Sequence, residues 1–253
     1  MLDEYVARTQ ELLQNPVPAT NPLYSEAQIK RYVNRARMQL AGEGQCIRRI
    51  GTIDTVADQR EYDFADINIG VSATTGIAGV FNVRRINFTS GDGELYVTPR
   101  AWEWFDQYCL NNPVPFGDQS NPAARYPQVW SQYSQGGGNP ALVSSQSGSF
   151  YLNPIPDTVY TLKCDCQCYP VSLTDDNTPE AIPFIFTDCV PFFAAYYALL
   201  GSQMQARRAD AEAYYGYYLT FLERARKITN PAVLTWQSEQ AEDPAQAGKA
   251  GSR

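Results

Sequence analysis

Between about Cys46 and Tyr169 the apolar residues of this chain recur at every second position, whereas on either side they recur at helical spacing. A stretch with period two reads as half-buried strands and one with period 3.6 as amphipathic helices. A chain that switches from helix to strand and back is confined to segregated helices and sheet, an α+β arrangement, rather than alternating βαβ units. With 253 residues it is long enough to bury a substantial core.

Leu2, Tyr5, Val6, Thr9, Leu12 and Leu13 predict a first helix, closed by the proline-rich run from Asn15 to Pro22. Ser25-Glu26-Ala27-Gln28 is a capping box opening a second helix. Ile29, Val33, Ala36 and Leu40 form its apolar face, Arg31, Asn34, Arg35 and Arg37 are expected off that face, and Gly42 and Gly44 are expected to end it. Strands are expected over 46–56, 59–64, 80–89, 94–98, 126–133, 141–145, 149–153 and 158–169, with Gly91-Asp92-Gly93 and Ser147-Gly148 as hairpin turns. A short helix over Arg100 to Tyr108 interrupts them, and 111–125 and 134–140 read as long loops. Helix returns near Thr187, a candidate N-cap, with Pro191 tolerated in the first turn. Its apolar stripe is Val190, Phe193, Ala194, Tyr197 and Leu200, and a second stripe runs Ala213, Tyr217, Phe221, Ala225 and Ile228. The expected parts are helices over 1–45, an antiparallel β lobe over 46–183 inserted into a helical bundle completed by 184–229, and a polar extended tail over 230–253.

The chain contains no histidine, which removes the commonest general base and metal ligand. Phosphate-binding glycine loops and nucleophile elbows are also missing from the sequence. Three cysteines lie close together in Tyr160-Thr161-Leu162-Lys163-Cys164-Asp165-Cys166-Gln167-Cys168. Strict alternation places them on one side of a strand, ~6.6 Å apart at successive positions, too far for thiolates that must each lie ~2.3 Å from one zinc. They read as small buried hydrophobes, and no cofactor or metal is expected. The carboxylate pairs Asp63 with Asp66, Asp175 with Asp176 and Glu239 with Glu242 fall in turns or the tail and read as solvated turn acids. Trp102, Trp104, Trp130 and Tyr133 could form a sugar-stacking platform, though core and interface packing is the expected use.

A net charge of −7 argues against tight wrapping of DNA. Sixteen of the 20 basic residues are arginine, and the segment Tyr214-Tyr215-Gly216-Tyr217-Tyr218 sets aromatic surface around a helix just after Arg207, Arg208, Asp210 and Glu212. Arginine and tyrosine are enriched at interfaces, so Arg31, Arg35, Arg37, Arg207, Arg208, Tyr214 and Tyr218 are the candidate subunit-contact residues. No window approaches a membrane span, and the opening Met1-Leu2-Asp3-Glu4 lacks a basic n-region, so production in the cytosol is expected.

Several segments in order resemble the head-to-tail adaptor (head completion, or connector) proteins of tailed bacteriophages, particularly short-tailed ones. They are Tyr24 to Arg37 with its Tyr32-Val33-Asn34-Arg35-Ala36-Arg37 core, Gly44-Gln45-Cys46, Gln59-Arg60-Glu61-Tyr62, Tyr151-Leu152-Asn153-Pro154-Ile155-Pro156-Asp157, and Tyr169-Pro170-Val171-Ser172-Leu173. The Ala- and Tyr-rich helical stretch over 188–228 completes the similarity. The resemblance implies a structural virion protein without catalysis. Such proteins form a ring, usually of twelve copies, between the portal protein and the tail nozzle or tube, through which DNA passes without specific binding. It also implies that the C-terminal extension contacts the portal, here through Asn230, Leu234, Trp236 and Gln237. The alternatives are a carbohydrate-binding or glycan-processing virion module and a tail-nozzle ring component.

Overall fold

The computed structural model describes residues 1–14, 23–70, 75–90, 93–110, 126–133, 148–201 and 207–229. It is a mixed α+β protein, with five helices and one curled seven-stranded sheet among the described residues. The elements are α1 (Leu2–Leu13), α2 (Glu26–Gly44), β1 (Arg48–Asp54), β2 (Glu61–Asp63), β3 (Ile77–Ser90), β4 (Gly93–Pro99), α3 (Trp102–Phe105), β5 (Val129–Gln132), β6 (Ser149–Asn153), β7 (Thr161–Pro170), α4 (Cys189–Gly201) and α5 (Arg208–Thr229). The strand expected at 141–145, the turn at Ser147, the loops 111–125 and 134–140, and the tail 230–253 lie outside the described residues.

The capping box forms as the sequence requires. Ser25 accepts from the Gln28 N–H, and Gln28 Oε1 accepts from the Ser25 N–H. The apolar face that follows, Ile29, Val33, Ala36 and Leu40, is fully buried, which stabilises the fold by about 1.5–3 kcal/mol for each large side chain. The helix runs through Gly42 and Gly44 and stops at Gln45, whose backbone turns left-handed (φ 51°). Thr187 is not a side-chain cap for α4, because its hydroxyl donates to the Phe184 carbonyl in the 3-10 turn just before. The helix expected from Arg100 starts at Trp102 and continues as one π-helical turn, Asp106–Leu110.

The strand order is β1-β7-β3-β4-β5-β6-β2. β7 lies between β1 and β3 and is antiparallel to both. Leu162, Cys164, Cys166 and Cys168 all face the core, as the alternation predicts. Gln167, on the polar phase of that strand, is buried as well and accepts from Asn82 Nδ2 at 2.8 Å. β3 and β4 form the expected hairpin, with Ser90 opposite Gly93. One pairing corrects the antiparallel lobe: β4 and β5 run parallel over Thr98–Val129 and Pro99–Trp130. Parallel neighbours need a long crossover, and here it is the segment of 29 residues from 100 to 128 that contains α3.

α4 packs against α1, α2 and α5, and α2 also rests on β7. One continuous core therefore joins helices to sheet, from Leu2, Leu40 and Val190 through Cys164 to Phe150. A satellite cluster of Phe105, Cys109 and Val129 sits under Trp102 and Trp104. Among the described residues, Phe184–Gly201 is long and apolar enough by composition to cross a membrane, but more than half of it is buried, as in a core helix.

Candidate assembly surfaces

The arginines and tyrosines picked out from the sequence divide into internal and external sets. Arg37 sits four residues after Val33 and three before Leu40, so it lies on the buried stripe of α2 and not off it. Its Nε and Nη2 donate to Glu180 at 2.9 and 2.7 Å, and Nη1 donates to the Val171 carbonyl at 2.7 Å and to Asn34 Oδ1 at 3.1 Å. Glu180 also accepts from Tyr5 OH at 3.1 Å and from the Ile182 N–H at 2.9 Å. Burial, then the nearby Glu180 charge, pushes the Tyr5 phenol far up. The cluster ties α1, α2 and the segment after β7 together. Tyr218 is likewise enclosed, donating to Glu43 at 3.0 Å with its ring against Phe193, and burial raises its phenol in the same way. Arg37 and Tyr218 thus make these bonds inside the subunit, which corrects their placement on a face open to a neighbour.

Tyr214 and Arg207 join the start of α5 to the end of α1. Tyr214 OH donates to the Leu12 carbonyl at 2.8 Å, and Arg207 Nη1 to the Leu13 carbonyl at 2.7 Å. Arg31, Arg35 and Arg208 stand at the surface. Arg35 lies over the Tyr197 ring at 5.7 Å, and Arg208 pairs with Glu212 at 3.3 Å. Asn230, Leu234, Trp236 and Gln237 lie outside the described residues.

The aromatic segment turns largely on itself. Trp102 is packed by Tyr133 at 4.6 Å and Tyr151 at 5.0 Å, Trp104 by Tyr108 and by Arg100, and Trp130 is part of the main core. The cysteines are all free thiols and all buried. Burial pushes Cys46, Cys164, Cys168 and Cys189 up to about 12 and Cys166 higher still. At neutral pH burial keeps these thiols protonated, as suits small core side chains. Asp175 accepts from the Thr178 hydroxyl and from the Thr178 and Asn177 N–H groups, so its carboxyl is held low as a turn cap. Asp176 accepts from the Asp3 N–H and the Met1 amine and is held down at about 2.

Two features, one exposed and one half-buried, were not singled out from the sequence. Phe184 and Ile185 are 78% and 62% exposed, although Ile182 and Phe186 on either side are buried. All four are apolar, so nothing in the sequence separates the exposed pair from the buried one. The second is Arg84, at a register shift in β3, with a guanidinium nitrogen that has no hydrogen-bond partner. No sequence pattern marks it, because the shift is set by pairing with β7.

In comparison with known proteins, the family described as SU10 adaptor protein matches residues 2–246. No curated protein matches the chain.

Proposed function

From a chain that belongs to the SU10 adaptor protein family, a bacteriophage adaptor and structural component of the virion, we propose a head-to-tail adaptor that joins the portal to the tail. The observation that carries this reading is the family match, which spans both terminal helical regions and the whole sheet. Copies of the chain form a ring of about twelve subunits around the DNA path, a closed cyclic assembly of identical interfaces. The protein acts by contact alone and carries no catalytic group. It is assembled in the host cytoplasm and needs no membrane.

The helices of 1–45 and 184–229 form the part that packs against neighbours and the portal, with Arg31, Arg35 and Arg208 free to take part, and the strands of 46–183 form the part facing the tail. Residues 230–253 contact the portal, with Leu234 and Trp236 as apolar anchors flanked by Asn230 and Gln237. The net charge of −7 suits a channel that lets DNA slide, since acidic subunits repel phosphate.

The test is co-purification of the full chain with its portal protein, compared with a chain lacking 230–253 and with Leu234→Ala/Trp236→Ala. Retention by the full chain and loss in both variants is expected. Portal binding at full strength without 230–253 removes the tail assignment, and no portal binding by the full chain removes the adaptor role.

A further inference from the structure

We propose that copies of this chain meet head to tail. The cationic corner where β1, β3 and the end of α5 converge on one copy receives the acidic face of α1 and the 175–188 segment on the next. This rests on the adaptor reading and identifies the two surfaces that the ring would join.

The corner is assembled by long-range contacts. Arg48 Nη1 donates to the Thr229 carbonyl at 3.2 Å, which seats the last turn of α5 on the start of β1. Arg48 also pairs with Asp165 on β7. Arg84 is close enough to this pair that burial, and then the Arg48 charge, lowers its pKa. Arg49, Arg85, Arg226 and Lys227 stand exposed around them. Arg224 on α5 makes seven cations, and the carboxylates beside them are Asp54, Asp165, Glu43 and Glu223, which leaves an excess of three positive charges in a chain whose total is −7. Asp165 is already committed to Arg48, and Arg84 is half-buried behind them with an enclosed nitrogen that has no hydrogen-bond partner, so it adds charge to the corner and not a contact atom. Beside these charges lie two exposed apolar side chains, Ile50 at 74% and Ile228 at 48%.

A second surface carries the opposite sign. Asp176 ties the segment after β7 to the start of α1 through Asp3 and Met1, and Arg8 pairs with Asp188 at 2.5 Å. Asp3, Glu4, Glu26, Asp175, Asp176 and Asp188 are all exposed there. Facing them are the Met1 amine, Arg8 and Lys30, which leaves an excess of three negative charges. Phe184 and Ile185 emerge from the turn just before Asp188. Each surface thus pairs a charge excess with an exposed apolar anchor, the make-up of an interface with a dry centre and a polar rim.

The two surfaces are built from different elements. α1 and α5 both lean on α4 and α2. They meet where Arg207 and Tyr214 reach Leu13 and Leu12, at the ends of the helices away from both patches. Neither surface pairs with itself, since like charges would be opposed. The contact is therefore heterologous, the kind that closes into a ring. The exposed isoleucines at the corner favour a protein partner over a nucleic acid backbone, which offers them nothing to bury against.

The test is oxidative cross-linking of the full chain at high protein concentration, with Ile50→Cys, Phe184→Cys and the double variant. The native thiols are buried, so the introduced sulfurs are the accessible ones. The double variant is expected to give a ladder of dimers, trimers and larger species. Each single variant stays monomeric, and the two mixed stop at dimers. Arg85→Glu in the double variant should reduce the ladder about tenfold, equivalent to ~1.4 kcal/mol, and Glu4→Lys added to it should restore part of the yield.

Dimers from either single variant, no ladder from the double variant, or a ladder indifferent to Arg85→Glu would overturn the contact. So would duplex DNA that binds the corner and abolishes the cross-link. A ring that assembles without the Ile50–Phe184 link overturns this contact and leaves the adaptor reading in place. Loss of portal co-purification does the reverse.

Discussion

Glu180→Gln is the perturbation that most directly examines how the helices are fixed to the sheet. Arg37 and Glu180 are enclosed, with side-chain exposures of 1% and 8%, so water cannot replace a lost partner. The substitution keeps the shape but removes the only carboxylate bonded to Arg37, leaving the guanidinium with Asn34 and the Val171 carbonyl. Breaking one side of a buried pair costs about 3–5 kcal/mol, mostly because the remaining charge is buried without compensation. For a chain of this size that is a fall in Tm of about 6–20 °C, at ~2–4 °C per kcal/mol. The double replacement Arg37→Met/Glu180→Leu removes both charges and should cost less than Glu180→Gln alone, since a buried pair is often no better than a packed apolar one. Urea unfolding of wild type, Glu180→Gln, the singles Arg37→Met and Glu180→Leu, and the double variant measures this. A Glu180→Gln loss below about 1 kcal/mol, or a double variant worse than the sum of the singles, would refute the argument that an unpaired charge sets the cost.

Alkaline pH should unfold the protein early. The folded state keeps its buried thiols protonated up to about 12, whereas in the unfolded chain they ionise from about 9. Between these values the folded state binds more protons, so stability falls as pH rises, by up to ~1.4 kcal/mol per unit for each thiol. A urea midpoint that stays level from about pH 8 to pH 10 would contradict this. Gly76→Ala should destabilise by about 3 kcal/mol, because φ is +64° and the added Cβ would lie 2.2 Å from the Pro179 carbonyl oxygen; an unchanged Tm would count against it. Gly51→Ala should cost about 1–3 kcal/mol by overpacking, its Cβ lying 2.5 Å from Ile67 Cγ2, again read by thermal melting. A thiol reagent should label none of the six cysteines in the native state and all of them in denaturant; rapid native labelling would mean that the β7 face is open.

What the sequence made legible was what neighbours along the chain decide. The capping box at Ser25, the alternation through Cys164, Cys166 and Cys168 and the tolerated Pro191 each depend on residues within a turn or a strand, and each is present. The parallel pairing of β4 with β5 was not legible, because a segment of 29 residues brings them together and no local pattern distinguishes it from a hairpin. Arg37 shows the same limit in the candidate surfaces. Its position on the wheel of α2 was readable from Val33 and Leu40, but charge argued for the outside, and the carboxylate that reverses that argument is 143 residues further on. Arg84 and Phe184 depend in the same way on a bulge and a turn set by partners distant in sequence.

That separation also explains why an arginine-rich chain is not a uniformly sticky one. An arginine inside the fold, such as Arg37, must be matched by a buried carboxylate and so contributes shape, not contact. An arginine outside, such as Arg85, is solvated and gains little from a single exposed pair, so its value lies in adding to a patch that selects the sign of what docks there. If the corner acts in this way, neutralising one exposed arginine there should slow the rate at which copies associate and flatten its dependence on salt, while dissociation changes little. Replacing Ile50 by Ser should do the opposite, speeding dissociation and leaving the salt dependence alone, because an apolar anchor is buried only after the charges have brought the surfaces together. Stopped-flow association of labelled chains at several salt concentrations separates the two. Equal effects of Arg85→Gln and Ile50→Ser on both rates would mean that charge and apolar contact do not divide the work in this way.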